Sequence, residues 1–195
     1  MKRTTEEKQN VTEQDVMLRL RELNSPMLQS EYLENLLKRI AIQPSIKTYA
    51  SKALAELHMK RGLWSSAARV LENAADAAVA FNDKKSLYTQ VGALYIKAAD
   101  YLLADDAFRK AVEAASPGEK AKIASETRNL FLMDADALFR ENKHAKAVKL
   151  YERMLRTSTA NDEKKKIMER LKIIYEKLAR IPESIQMRES LKNFK

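Results

Sequence analysis

Apolar residues recur three and four positions apart along almost the whole of this sequence. Lys, Glu, Arg, Asp, Gln and Asn fill the positions between them. That spacing lays one apolar stripe along a helix, and it predicts ten helices. The first carries Val16, Leu20 and Leu23 and can be capped by Thr12. Ser25 and Pro26 supply a cap and then a proline at the first helical position, opening a second helix through Leu33, Leu36, Leu37 and Ile40. Pro44 opens a third, through Ala50, Leu54, Leu57 and Met59, which Gly62 ends. A fourth starts near Ser65 and carries Val70, Leu71 and Ala74, and Phe81-Asn82-Asp83 breaks the pattern. The fifth holds Leu87, Val91, Leu94 and Tyr95, and the sixth Leu103, Ala107, Phe108 and Ala111. Ser116 and Glu119 have capping-box spacing ahead of a long seventh helix. Asn142-Lys143-His144 interrupts the pattern again before an eighth helix through Ala147, Leu150, Tyr151 and Leu155. After a polar loop over 157–161, Ile167, Leu171 and Ile174 mark the ninth, and Pro182 opens the tenth, which carries Ile185 and Leu191.

Composition agrees. Ala, Leu, Lys, Glu and Arg are good helix formers, and the chain has only three glycines and four prolines. Strand-like runs of β-branched and aromatic residues are missing. The expected fold is all-α.

A repeat organises these helices. Laying residues 52–74 over 89–111 pairs Trp64 with Tyr101, Ala67 with Ala104, Leu71 with Phe108, and Ala74 with Ala111, a period of 37 residues. Upstream, Leu54 pairs with Val91, Ala55 with Gly92, and His58 with Tyr95. A third copy aligns His144, Ala147, Tyr151 and Met154, with Phe131 and Ala135 upstream, at a period of 43. A fainter fourth runs through Leu171, Tyr175 and Ile181. Small residues at fixed slots let two helices approach closely. Gly62 permits a tight turn between them, and Trp64 can wedge into the corner. In the third copy Asp134 falls in the slot of Leu54 and Val91, where an unpaired buried carboxylate would be costly. A register shift is the preferred explanation; a pairing with Lys149 or Arg153 is the other.

This pattern of large, small and aromatic slots resembles the tetratricopeptide repeat family, and its stretched period is similar to the longer hairpins of soluble NSF attachment proteins. The resemblance implies a right-handed α-solenoid of about five antiparallel helix hairpins. It gives a flexible tail over 1–10 and a single repeat domain over 11–195. The clearest repeats are 48–81, 85–115 and 119–157, and a helix pair spans 161–194. In that family the first helix of each pair lines a concave groove that takes a peptide or a helix. Carrying the pattern over places Tyr49, Lys52, Glu56, Met59 and Lys60 in the groove from one repeat. The next supplies Thr89, Ala93, Ile96 and Lys97, and the third Asn129, Leu132, Asp136, Phe139 and Arg140. Met59, Ile96, Leu132 and Phe139 would be its exposed apolar groups. Of the family's five-residue carboxylate clamp only the first lysine is matched, by Lys52. Glu56, Gln90, Asn129 and Met133 stand at the other four positions, so binding of a chaperone tail is not expected.

Charge changes the picture next. The net charge is +9, and most of it lies beyond residue 117. Lys143, Lys146, Lys149, Arg153 and Arg156 form a basic stripe, because they recur at helical spacing. A protein or peptide is the expected partner; the charge reads either as a solvated surface on Lys-rich helices or as a hint that the partner is acidic. The alternative is a nucleic acid bound by the basic C-terminal half, with Lys165, Lys172 and Arg180 added, although few aromatics interleave for base stacking. A homodimer through Phe194 is a further expectation.

Candidate chemistry adds little. There is no cysteine, no glycine-rich phosphate loop and no nucleophile motif, and His58 and His144 lie in different repeats. No enzyme activity, cofactor or metal is expected. The N-terminus has no apolar secretory core and no stretch is long and apolar enough to span a membrane, so the expectation is a soluble, cytoplasmic interaction scaffold.

Overall fold

The structure, a computed structural model, describes residues 11–39, 42–157 and 160–193. The expected tail over 1–10, Ile40 and Phe194 lie outside them. The described residues form ten helices and no strand. These are α1 (Glu13–Glu22), α2 (Pro26–Leu37), α3 (Pro44–Lys60), α4 (Trp64–Ala77), α5 (Phe81–Lys97), α6 (Tyr101–Glu113), α7 (Pro117–Arg140), α8 (His144–Thr157), α9 (Asn161–Lys177) and α10 (Ile181–Lys192). None of them is long and apolar enough to cross a membrane.

Local chemistry sets the starts. Thr12 and Asp15 form a reciprocal capping box on α1, and Ser25 caps α2 ahead of Pro26. Glu119 reaches back to the backbone N–H of Ser116, 3.2 Å away, at the start of α7. Three breaks differ from expectation. Phe81, Asn82 and Asp83 are the first turn of α5, α10 begins at Ile181 ahead of Pro182, and Thr157 and Asn161 belong to α8 and α9. Polar residues are as welcome in an exposed first or last turn as in a loop, so composition does not separate the two.

The helix ends carry the repeat most plainly. Gly62, Ala99, Asn142 and Ala179 all adopt positive φ, between 56° and 72°. Each sits at the same point of a Schellman turn. The N–H after it reaches back five residues, Leu63 to His58, Asp100 to Tyr95, Lys143 to Leu138 and Arg180 to Tyr175, at 2.8–2.9 Å. The spacings between the four are 37, 43 and 37 residues, so the fourth copy shares the period. Only the first turn uses glycine.

The chain divides into two compact units, Met1–Lys120 and Ala121–Lys195. In the first, packing runs from α2 to α3, α4, α5 and α6 in succession. Val16, Leu33, Leu36, Ile46, Ala50 and Leu54 make one cluster of its core. Further along, Ala67, Ala68, Ala74 and Ala75 of α4, and Ala104, Ala107 and Ala111 of α6, are buried, so these helices lie close to their neighbours. Gly92 of α5 faces the Phe108 ring so closely that a Cβ there would fall 2.6 Å from it.

In the second unit α7 and α8 run antiparallel. Phe139 meets His144 at the corner, Tyr151 donates to Asp136, and the Arg153 guanidinium lies over the Phe131 ring. Packing continues from α8 to α9 and α10. Ala135, Ala147, Tyr151 and Met154 are buried at the slots of Gly92, Ala104, Phe108 and Ala111, so the third copy keeps its register. The expected shift is not seen, and Asp134 avoids the burial cost by staying half-exposed.

Candidate functional site

Leu132 and Asp136, two of the residues expected in the groove, line one cleft of about 480 Å³ in the second unit. They lie one turn apart on α7, so they share a face. The opposite wall is α9, which contributes Glu163, Lys166, Ile167, Glu169, Arg170 and Ile173, and Tyr151 of α8 completes the lining. Leu132, Ile167 and Ile173 form an apolar strip between charges of both signs. Tyr151 donates its hydroxyl to Asp136, and Arg170 Nε stands 3.7 Å from the same carboxylate. Burial first, and the Asp136 hydrogen bond second, push the Tyr151 hydroxyl well above its ordinary value, so it stays a donor. Phe139 lies beside this cleft, not in its lining. Arg170 and Lys177 stand 5.3 and 5.2 Å from its ring centroid.

In the first unit Tyr49 and Lys52 line a second cleft of about 480 Å³, with Glu13, Thr48, Val79 and Asp83. The other expected groove residues line neither cleft. Glu56 and Lys60 are exposed and Met59 is half-buried. Thr89 gives its hydroxyl to the Lys85 carbonyl at 2.8 Å, and Lys97 holds its ammonium 4.9 Å from the Trp64 ring centre. Ile96 is 5% exposed, which corrects its assignment as an exposed groove residue. The repeat assigns it to the face away from the partner helix, and other packing covers it. Asn129 and Arg140 are exposed, and Arg140 Nε donates to its own helix at the Asp136 carbonyl.

The α9 wall was missed by sequence reading. Its only signal was the faint fourth copy, in which Ile173 follows Asp136 by 37 residues.

The basic stripe lies mainly on α8. Lys143, Lys146, Lys149 and Arg156 are exposed. Lys143 pairs with Glu141 at 2.7 Å. Arg153 is half-buried, with its guanidinium 4.4 Å from the Phe131 ring centroid. Burial, and then the neighbouring Arg156 charge, pull the Arg153 guanidinium below its ordinary range. Glu152, the acidic residue of α8, is turned toward α9. It accepts from Tyr175 at 2.6 Å and stands 3.8 Å from Arg180.

No protein-family model and no curated protein matches this sequence. Among solved structures it is similar to BtubC (BKLC) from P. vanneervenii, at 12% identity and a TM-score of 0.41, over 92% of this chain and 76% of that one.

Proposed function

We propose that this chain is a non-enzymatic, tetratricopeptide-like scaffold in the cytoplasm, whose helix pairs stack as a right-handed solenoid and present first-helix faces to a peptide or helix of a partner protein. The observation that supports it is the cleft between α7 and α9. There an apolar strip of Leu132, Ile167 and Ile173 is bordered by Asp136, Lys166, Glu169 and Arg170. Apolar anchors flanked by charge are what a groove needs to hold an amphipathic segment, since the strip supplies affinity and the rim fixes register.

Selection of a randomised peptide library displayed on phage against the purified protein tests this. An enriched family with apolar residues three and four apart is expected. Its binding should fall about tenfold or more in Leu132→Glu and Ile173→Glu, because a charge is forced into the apolar strip. Leu102→Glu, at a residue 84% exposed on α6, should leave it unchanged. Enriched peptides indifferent to both cleft variants, or no enriched family, would overturn the reading.

A further inference from the structure

Slot by slot, α8 and α6 are the same helix of successive copies. Lys146, Lys149, Arg153 and Arg156 of α8 follow Leu103, Asp106, Lys110 and Glu113 of α6 by 43 residues each. One feature is kept: Lys110 stands 5.4 Å from the Tyr88 ring centroid, and Arg153 stands over Phe131, 43 residues on. The charge balance is not kept. On α6, Asp106 pairs with Arg109 and Lys110, and Glu113 pairs with Arg109. On α8 both acidic slots have become cations. Among the described residues Lys146, Lys149 and Arg156 have no acidic partner, and Glu152 is engaged by Tyr175 and Arg180 on the side facing α9.

The four cations fall within an arc of about 80° and span about 15 Å of helix. Like charges three and four apart oppose helix formation. A local conflict of this kind is expected where another molecule supplies the missing charge.

We infer that the outer face of α8 is a docking surface for an acidic helix of a partner protein, whose carboxylates recur at three- and four-residue spacing. Carboxylates so placed rise along their helix in the same steps of about 4.5 and 6 Å as the cations, whereas one face of an extended strand repeats only every ~6.7 Å. The unit offers little for a nucleic acid to stack on. Phe131, Tyr151 and Tyr175 are buried, and cations cover Phe139.

Fluorescence anisotropy with the full chain tests the inference. One labelled probe is a Glu/Ala helical peptide with its glutamates on one face. The second has the same composition with the glutamates distributed around the helix, and the third is a single-stranded RNA of similar length. The one-faced peptide should bind about tenfold tighter than the distributed one, and Lys146→Glu/Lys149→Glu/Arg156→Glu should weaken it about tenfold or more. Lys38→Glu/Lys120→Glu/Lys192→Glu makes the same change in net charge at other exposed positions and should alter binding by about twofold or less. Leu132→Glu and Ile173→Glu should not alter it, which separates this surface from the cleft. Circular dichroism checks that the variants fold, and Lys149→Glu alone provides a milder test. Equal binding of the two peptides, or equal weakening by the control variant, overturns the inference. RNA binding tighter than the one-faced peptide, and lost in the α8 variant, makes a nucleic acid the occupant instead.

Discussion

Helices α6 and α8 hold the same position in consecutive copies and share their buried faces. Ala104, Ala107, Phe108 and Ala111 of the one match Ala147, Leu150, Tyr151 and Met154 of the other, all fully or almost fully buried. Their exposed faces have diverged. The α6 cations are paired with acids on their own helix, and Lys110 also reaches Glu72 of α4 at 3.1 Å. Of the α8 cations, Lys146, Lys149 and Arg156 are exposed. Packing constrains the inner face of a repeat because each copy must fit its neighbours. Nothing in that requirement constrains the outer face, so a difference there reports on use more than on folding.

The comparison can be broken most directly at its shared core slot. Phe108→Ala and Tyr151→Ala should each cost about 3–5 kcal/mol, because both leave a ring-sized cavity. A loss below about 1 kcal/mol for either, by urea denaturation, would mean that the two helices are not equivalent.

Gly92 sharpens the same comparison. Its slot holds Ala55 and Ala135 in the other copies, yet a Cβ at Gly92 would lie 2.6–2.8 Å from Phe108. Gly92→Ala should therefore cost about 1–3 kcal/mol by overpacking, even though alanine is the better helix former. Adding Phe108→Leu should recover part of the loss in a double-mutant cycle.

The tyrosine contacts test the pH behaviour of these interfaces. Tyr95 donates to Glu72 at 2.8 Å, and Tyr175 donates to Glu152 at 2.6 Å; each pair is 23 residues apart. Burial first, and then hydrogen bonding to Asp76 or Glu72, pushes the Tyr88 and Tyr95 hydroxyls up to about 12. The folded state thus keeps protons that the unfolded chain loses near the ordinary value of 10. This stabilisation is complete below pH 10 and is lost as pH rises through about 12. Tyr95→Phe should cost about 1–2 kcal/mol at pH 7 and make the fall between pH 10 and 12 shallower. An unchanged slope in denaturation midpoints would contradict the assignment.

The smallest effect bears on the outer face. Lys149→Asp gives α8 the α6 solution at one slot and should stabilise the fold by about 0.2–0.5 kcal/mol. The reverse change, Asp106→Lys, takes one of two acidic partners from each of Arg109 and Lys110 and sets a like charge beside them, and should destabilise by about 0.5–1 kcal/mol. Opposite signs in the two melts are expected. If Lys149→Asp proves destabilising, the α8 row already has its counter-charge within the fold.

Helix positions, capping at Thr12 and Ser25, and the alignment of three copies were legible in the sequence, because each depends on residues within a turn or on a fixed period. The turns were legible only in part. Gly62 announces its positive φ, but Ala99 and Ala179 adopt it with a residue that gives no signal. For them the closing backbone bonds and the packed helices impose a conformation that alanine alone disfavours. Leu132 and Asp136, assigned to one helix face from the repeat, line a cleft, whereas Ile96, assigned by the same logic, is buried.

The sequence by itself determined that this protein is a series of helix pairs with small residues at their contacts and a basic row on α8, since apolar period and charge spacing are local properties of the chain. Only the tertiary structure decided that α9 closes a cleft with α7, that Glu152 spends its charge on Tyr175 and Arg180, and that Lys146, Lys149 and Arg156 are left without acidic partners among the described residues. Those outcomes depend on which side chains from distant parts of the chain meet. A pattern repeated every few residues carries no information about that, because burial and pairing are fixed only when the helices pack.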